Sequence, residues 1–275
     1  MRLLEALDFG VVRLKPCSDS AEFETMALLE EVTHKSKEVI LSDNDKINEE
    51  EFVQFKEYLS RRIQGEPLQY IIGRTNFLGI DIFTKKKAFI PRPETELMTY
   101  YAILELKKIK NPIILEIGTG TGVIAISMAL KLKEARIFAT DISEEALELC
   151  SKNIQHYKLE ERITLIGADS LEPFKSKEQF NLIISNPPYI PEKEMQNLDP
   201  LVKREPELAL NGGMGGIQII NRILKSSPDL LRKKGILFLE LDGSNIPHLK
   251  VPKKLSYLIL DDEFGRKRVL KGIKK

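Results

Sequence analysis

Asn186-Pro187-Pro188-Tyr189 is the stretch of this chain whose residue types ask most directly for chemistry. It follows the run NLIIS, which reads as a buried strand ending at this point. Proline has no N–H, so two in a row leave carbonyls free and keep the chain out of helix. Asn186 adds a side-chain acceptor beside them. Such a set suits a planar –NH2 group held by both hydrogens with its nitrogen aimed outward. The Tyr189 ring can pack against the face of that plane. A plain turn would not need an asparagine and a tyrosine framing the prolines.

Three earlier strand ends carry groups of a matching kind. IILEI leads into Gly118-Thr119-Gly120-Thr121-Gly122, and VIAISMALKLKE then reads as a helix. Glycines at a strand-to-helix turn let a ligand approach the backbone, and the helix start offers unpaired N–H groups. No Gly-Lys-Ser/Thr follows Gly122, and the alternating glycines do not fit G-x-G-x-x-G, so neither a P-loop nor a dinucleotide fingerprint is present. Asp141 ends the next strand, about 20 residues on, where a carboxylate can accept both hydroxyls of a ribose. It could instead cap the helix that follows, although Ser143 is the better N-cap, with Glu144 and Glu145 in the first turn. A third strand runs into Gly167-Ala168-Asp169-Ser170. Asp169 there can accept from an exocyclic adenine amine, or be an ordinary loop residue. The set suggests an adenosine-containing cofactor without a pyrophosphate clamp.

The elements that must position these groups are legible in the periodicity. From residue 91 onward short apolar strands alternate with amphipathic helices, which predicts a mainly parallel sheet covered by helices. The strands are PIILEIG, ARIFATD, ITLIGAD, FNLIISN, GILFLEL, and finally SYLIL with RKRVLKG, the last two as an antiparallel edge hairpin. Residues 1–73 read as a small all-α domain. AEFETMALLEEVTHKS places Phe23, Met26, Ala27 and Leu29 on one apolar face, and Ser42-Asp43 supplies turn chemistry. EEFVQFKEYLSRRIQG repeats the pattern with Phe52, Val53, Phe55, Leu59 and Ile63, with Gly65 as the stop. Such a unit is expected to dock a partner. Residues 74–90 shift to a strand period through Phe77, Ile80, Ile82 and Phe89, which predicts a β-hairpin linker turning at Lys85-Lys86-Lys87.

Composition bounds the rest. Hydrophobic residues at 42% and charged residues at 30% are ordinary for a soluble globular chain. A formal net charge of +1 argues against unselective polyanion binding, so no stable nucleic-acid partner is expected. Cys17 and Cys150 are too few for a disulfide framework or a structural zinc site, and no His/Cys/carboxylate cluster has ligand spacing, so no metal is expected. MRLLEALDFG lacks a signal-peptide pattern, and no run reaches the roughly 18 apolar residues of a spanning helix. A cytoplasmic protein with no membrane association is the expectation.

GTGTG, the acidic residue of ATDIS, and NPPYI resemble class I S-adenosylmethionine-dependent methyltransferases that act on planar amino or amide nitrogens. More narrowly, the chain resembles the HemK family, the protein-(glutamine-N5) methyltransferases of peptide chain release factors. The narrower likeness runs through GEPLQYIIG (65–73), NFLGIDIF (76–83), FIPRPETE (89–96), NPPYI, EPELALNGG (205–213) and FGRKRVLKG (264–272). Their order and spacing make it specific. It implies a Rossmann-like α/β methyltransferase domain over residues 91–275, after the helical substrate-docking domain and the hairpin. S-adenosyl-L-methionine would be the cofactor and release factors the protein partners. Gly118, Thr119, Gly120, Thr121 and Gly122 would follow its methionine and ribose parts, Asp141 would take the ribose hydroxyls, and Asp169 with Ser170 would border the adenine. Asn186 would face both cofactor and substrate. Asn186 and Pro187 would hold the glutamine amide, with Pro188 and Tyr189 completing the substrate site. Pro91–Glu96 would also border the cofactor, unless Arg92 and Glu94 simply pair with each other.

The chain departs from the family pattern in places. Leu241-Asp242 stands where relatives commonly have Ile-Gly, Met214 where many have an acidic residue, and Ser170 where some have a large side chain. The reaction implied is direct displacement of methyl from sulfonium by the amide nitrogen, with catalysis mainly by positioning and electrostatics. No histidine lies near the motif in sequence, so the proton is expected to pass to water. An adenine-N6 or guanine-N2 nucleic-acid methyltransferase, or a ribosomal-protein glutamine methyltransferase, would use a similar loop. A non-catalytic docking module is the remaining alternative.

Overall fold

The computed structural model describes all 275 residues except Asp43, Lys87, Glu172, Pro173 and residues 175–178. The expected turn at Ser42-Asp43 thus lies partly outside the described residues. The chain divides into two compact units, Met1–Arg74 and Thr75–Lys275.

The first unit is all helical: α1 (Leu3–Leu14), α2 (Ala21–Thr33), α3 (Lys37–Leu41), α4 (Glu49–Ile63) and α5 (Leu68–Ile72). Asn48 caps α4 in a reciprocal box with Glu51, and Gly65 follows its C-cap. Leu3, Leu14, Leu28, Leu29, Phe55 and Leu59 form its core. The expected apolar faces need correction. Phe23 is 70% exposed, while Leu28 takes its place inside; Val53 and Ile63 are exposed too. Arg62 is instead buried on the inner face of α4, where it makes a two-point pair with Glu24 at 2.8 and 2.9 Å. Arg62 shares the inner face with Phe55 and Leu59, and its charged partner on α2 is what an apolar count cannot see.

The larger unit opens with a hairpin, β1 (Arg74–Phe77) and β2 (Ile80–Phe83). Its turn is Leu78-Gly79, both at positive φ, and not the lysines. Two successive left-handed residues match the twist of paired strands, so a two-residue turn wins over the longer basic one. Lys85 and Lys86 come after β2, and Lys87 lies outside the described residues. Phe77 and Ile82 are fully buried in the core of this unit.

There follow α6 (Pro93–Leu106), β3 (Ile113–Ile117), α7 (Val123–Lys131), β4 (Arg136–Asp141), α8 (Glu144–His156), β5 (Ile163–Gly167), β6 (Phe180–Ser185), α9 (Glu207–Leu210), α10 (Gln218–Leu230), β7 (Leu231–Glu240), β8 (Leu255–Asp261) and β9 (Lys267–Lys274). The seven-stranded sheet has the order β5-β4-β3-β6-β7-β9-β8. Strands β3 to β7 are parallel, and β9 lies antiparallel between β7 and β8. This is the class I methyltransferase fold expected from the sequence, edge hairpin included. Alternate residues feed two cores: Ile114, Leu182, Ile184 and Phe238 pack with α6, α7 and α8, while Leu115, Ile183, Leu237 and Leu239 pack with α10. A sheet buried on both faces explains the nearly continuous apolar strands.

The order reverses between β3 and β6, which is where open α/β sheets bind ligands beyond their carboxyl ends. The register aligns those ends: Ile117 pairs with Thr140 and Ser185, Asp141 with Gly167, and Ser185 with Leu239.

Candidate functional site

The loops after β3, β4, β5 and β6 surround a cavity of about 350 Å³. Gly118 to Thr121, Asp141, Asp169, Ser170, Asn186, Pro187 and Pro188 all line it. Of the expected site residues, Gly122 and Tyr189 are not on its wall.

The glycine turn is built from backbone. Gly118 and Thr119 both donate N–H to the Thr140 carbonyl, at 2.8 and 2.9 Å, and all three glycines have positive φ. Gly122 sits at the N-cap of α7, where a Cβ would lie 2.6 Å from the Cys150 sulfur. Asp141 receives Gly120 N–H on Oδ2 (2.8 Å) and Ser143 N–H on Oδ1 (3.0 Å). Each oxygen keeps a lone pair for a further donor. Burial raises the Asp141 pKa against those hydrogen bonds. Ser143 caps α8 through Ala146 N–H.

Asp169 reaches the rim, but Arg222 on α10 holds its carboxylate with one nitrogen 2.7 Å from each oxygen. It is not the free acceptor that the strand-end reading expected. Ser170 is buried with φ +59, and its hydroxyl has no partner among the described residues.

Glu116 looks like one residue of a strand in the sequence, and it is the most deeply buried carboxylate at the cavity. It is fully buried, and its Oε2 accepts from Thr119 Oγ1 at 2.9 Å and Ala125 N–H at 3.0 Å. Oε1 has no described partner. Burial pushes its pKa up to about 8. The signal was available: an acid in an otherwise apolar strand, two residues before a glycine turn.

On the other side of Asn186 lies a second hollow of about 220 Å³, lined by Arg92, Tyr189, Ile190, Leu198, Val202 and Leu210 among others. Phe89, Asn186 and Ala209 belong to the walls of both hollows. Tyr189 packs on the α10 side of the sheet with its hydroxyl 3.5 Å from Glu240 Oε1. Burial raises the phenol pKa well above its usual value, with the Glu240 carboxylate adding to the rise. No described group donates to the Pro187 carbonyl. The backbone of the loop is clasped by residues 211–216: Ile190 bridges to Asn211, and Gly216, at φ +67, faces the Tyr189 carbonyl so closely that any Cβ would overlap it.

Arg92 and Glu94 do not pair with each other. Arg92 pairs with Glu205, which also accepts from Ile90 N–H at 3.1 Å, and Glu94 meets Arg266 at 3.2 Å. Arg92 stands in extended backbone at the N-cap position of α6 and Glu94 lies in its first turn, so each side chain meets a distant partner. Phe89, Pro91 and Thr95 from the same stretch do line the cavity. At the departure in LELDGSN, Asp242 accepts from Ser244 N–H at 2.9 Å and from Arg268 at 2.7 Å. The substituted position thus caps the following 3₁₀ turn.

Residues 5–73 match the family model "PrmC N-terminal domain", and residues 99–214 match "Methyltransferase small domain". A release factor glutamine methyltransferase of Bacillus cereus is 31% identical over 246 residues, covering 88% of this chain and 86% of its own. A protein of the same name from Chlorobaculum tepidum is 40% identical over 201 residues, covering 69% and 68%. Among solved structures, the hMettl16 catalytic domain in complex with MAT2A 3'UTR hairpin 6 aligns with a TM-score of 0.52 at 15% identity. It covers 82% of this chain and 81% of its own, a likeness of fold alone. With identities of 30% and above carried over most of its length, the chain belongs to the HemK (PrmC) family of release factor glutamine methyltransferases.

Proposed function

We propose that this enzyme transfers a methyl group from S-adenosyl-L-methionine to the side-chain nitrogen of the glutamine in the Gly-Gly-Gln motif of peptide chain release factors. The observation that carries the reading is the shared wall. Two hollows meet at Phe89, Asn186 and Ala209, so a cofactor in the larger and a glutamine side chain in the smaller would face each other at Asn186.

The larger cavity fits the cofactor on its own chemistry. Its volume is in the range of small-molecule sites. Among its polar groups are the carboxylates of Glu116 and Asp141 and the unpartnered hydroxyl of Ser170, which suit a ligand bearing cationic and hydroxyl groups. Gly118 to Thr121 and Asp141 would hold the methionine and ribose parts, and Ala168 to Ser170 would border the base. When bound, the cofactor supplies an electrophilic methyl on a sulfonium.

The chain's own part is to bind and orient. Asn186 Oδ1 and the Pro187 carbonyl accept the two amide hydrogens of the glutamine, which directs its nitrogen to the larger cavity and raises its electron density. Such positioning can be worth about 7 kcal/mol or more, with further support as charge moves from sulfur to nitrogen. Tyr189 walls the amide. Its raised pKa keeps the phenol neutral, so it is no base, and the proton passes to water. The helical unit Met1–Arg74 would hold the release factor, which supports a cytosolic site of action; no helix among the described residues is long and apolar enough to cross a membrane.

The test is a transfer assay with methyl-labelled S-adenosylmethionine, offered a bacterial-type release factor and its Gln→Ala version. Label entering only the glutamine-bearing factor, with the mass gain mapped to that side chain, is the expected result. No label in either, despite cofactor binding, would overturn the assignment of substrate.

A further inference from the structure

Behind the substrate-facing asparagine runs a buried chain of hydrogen bonds with no assigned role. Asn186 Nδ2 donates to Thr95 Oγ1 at 2.9 Å, and Thr95 Oγ1 donates to Glu240 Oε2 at 2.6 Å. Thr95 is 2% exposed and Glu240 1%. The other carboxylate oxygen faces the Tyr189 hydroxyl at 3.5 Å. The register explains the meeting: Ser185 pairs with Leu239, so Glu240 ends β7 beside Asn186, while Thr95 comes from the first turn of α6.

An asparagine side chain can be turned by 180° with little change in shape, which exchanges its acceptor for a donor. The Thr95 hydroxyl has one hydrogen. Spent on the Glu240 carboxylate, it leaves Thr95 Oγ1 only as an acceptor towards Asn186. Asn186 must then present N–H to Thr95 and carbonyl oxygen away from it. No described group donates to that oxygen, and Asn186 forms the wall between the two hollows.

We propose that Thr95 and Glu240 are positioning residues that lock Asn186 with its acceptor towards the substrate amide. The proposal rests on the reading of Asn186 given above and goes one step behind it. An asparagine free to turn would present its –NH2 to the glutamine –NH2 for part of the time, and donor would then face donor. The device works through kcat, because both residues are buried behind Asn186 and act only through its orientation.

The experiment is a double-mutant cycle in the labelled transfer assay. Thr95→Val keeps the shape and removes the hydroxyl; it is expected to lower kcat at least tenfold, with the KM for release factor within about threefold of wild type. Thr95→Ser, which restores the hydroxyl, is expected to restore most of the rate. In an Asn186→Ala background, Thr95→Val is expected to add no further loss, because what it orients is gone. An equal loss in both backgrounds would overturn the proposal and leave only a structural role for Thr95. Asn186→Ala at full turnover would instead overturn the reading of Asn186 itself. A second measurement needs no mutant at Thr95: in selectively ¹⁵N-asparagine-labelled wild-type protein, one Asn186 side-chain amide proton should resist exchange, with the resonance identified by its absence from Asn186→Ala. Rapid exchange of both protons would overturn the lock.

Discussion

Gly216 faces the carbonyl oxygen of Tyr189 with no room for a Cβ between them. The contact joins the loop that follows β6 to the 3₁₀ turn before α10, and φ +67 at Gly216 independently disfavours any other residue. Gly216→Ala is therefore expected to push the Pro188–Tyr189 backbone away while leaving the glycine turn after β3 untouched. A displacement of about 1 Å at a catalytic loop costs about a hundredfold in rate. Transfer kinetics should show that loss in kcat, and calorimetry should find cofactor affinity within a few-fold of wild type.

Asp141 should act on the cofactor alone. Its two oxygens are held by Gly120 and Ser143 N–H groups, which fixes the carboxylate and leaves lone pairs to the cavity. Asp141→Ala removes charge-assisted acceptors worth about 1.5–3 kcal/mol, or about ten- to hundredfold in affinity. Titration with S-adenosylmethionine reads that change directly. Unchanged affinity would move the ribose site elsewhere.

Four carboxylates in or near the site have raised pKa values: Glu116 to about 8, Glu240 to about 7, and Asp141 and Glu205 upward, with burial the first cause in each. A raised carboxyl holds its proton in the folded state after the unfolded chain has lost it. Stability is thus full below the unfolded value near 4.5 and falls as pH rises towards 8. The lowered groups, Asp242 and Asp262, titrate below this window. Thermal melts of the ligand-free protein should drop steadily from pH 5 to pH 9, on the order of a few kcal/mol in total. Glu116→Gln should flatten the upper part of the slope. A melt that rises with pH would contradict the buried state of Glu116.

In the helical unit, the test is of stability. Arg62 is 4% exposed and is held by Glu24 at two points. Arg62→Ala strands the partner carboxylate and should cost about 3 kcal/mol. A denaturation curve of the full chain should show the earliest transition move to lower denaturant, and methylation of the release factor should fall with it.

The sequence made the sheet readable because strands buried on both faces are short, apolar and punctuated by glycine or proline. The four strand ends around the larger cavity were readable for the same reason: each polar group stands where an apolar run stops. What escaped was pairing at a distance. Glu116 and Glu240 look like strand residues until the fold buries them beside the turn and the loop they serve. Thr95 stands ninety-one positions from Asn186, and Arg222 fifty-three from Asp169, so no local pattern announces either contact. Arg92 and Glu94 show the converse, since adjacency in sequence suggested a pair that the helix start separates. Phe23 falls outside because the inner face of α2 runs through Ala21, Thr25, Leu28, Leu29 and Val32, a helical spacing that leaves it on the opposite side.

The placing of β9 between β7 and β8 has a consequence for synthesis. β8 leaves the ribosome first, but every backbone partner it has in the sheet belongs to β9. A nascent chain that has exposed residue 261 and not yet residue 267 therefore holds β7 with an open edge and a strand that has nothing to pair with. Such an edge is a template for association with other chains. β9 closes this sheet by intercalation, and Arg268 comes with it to meet Asp242. A chain halted before β9 has emerged would thus carry every loop around the larger cavity and an unfinished, sticky sheet.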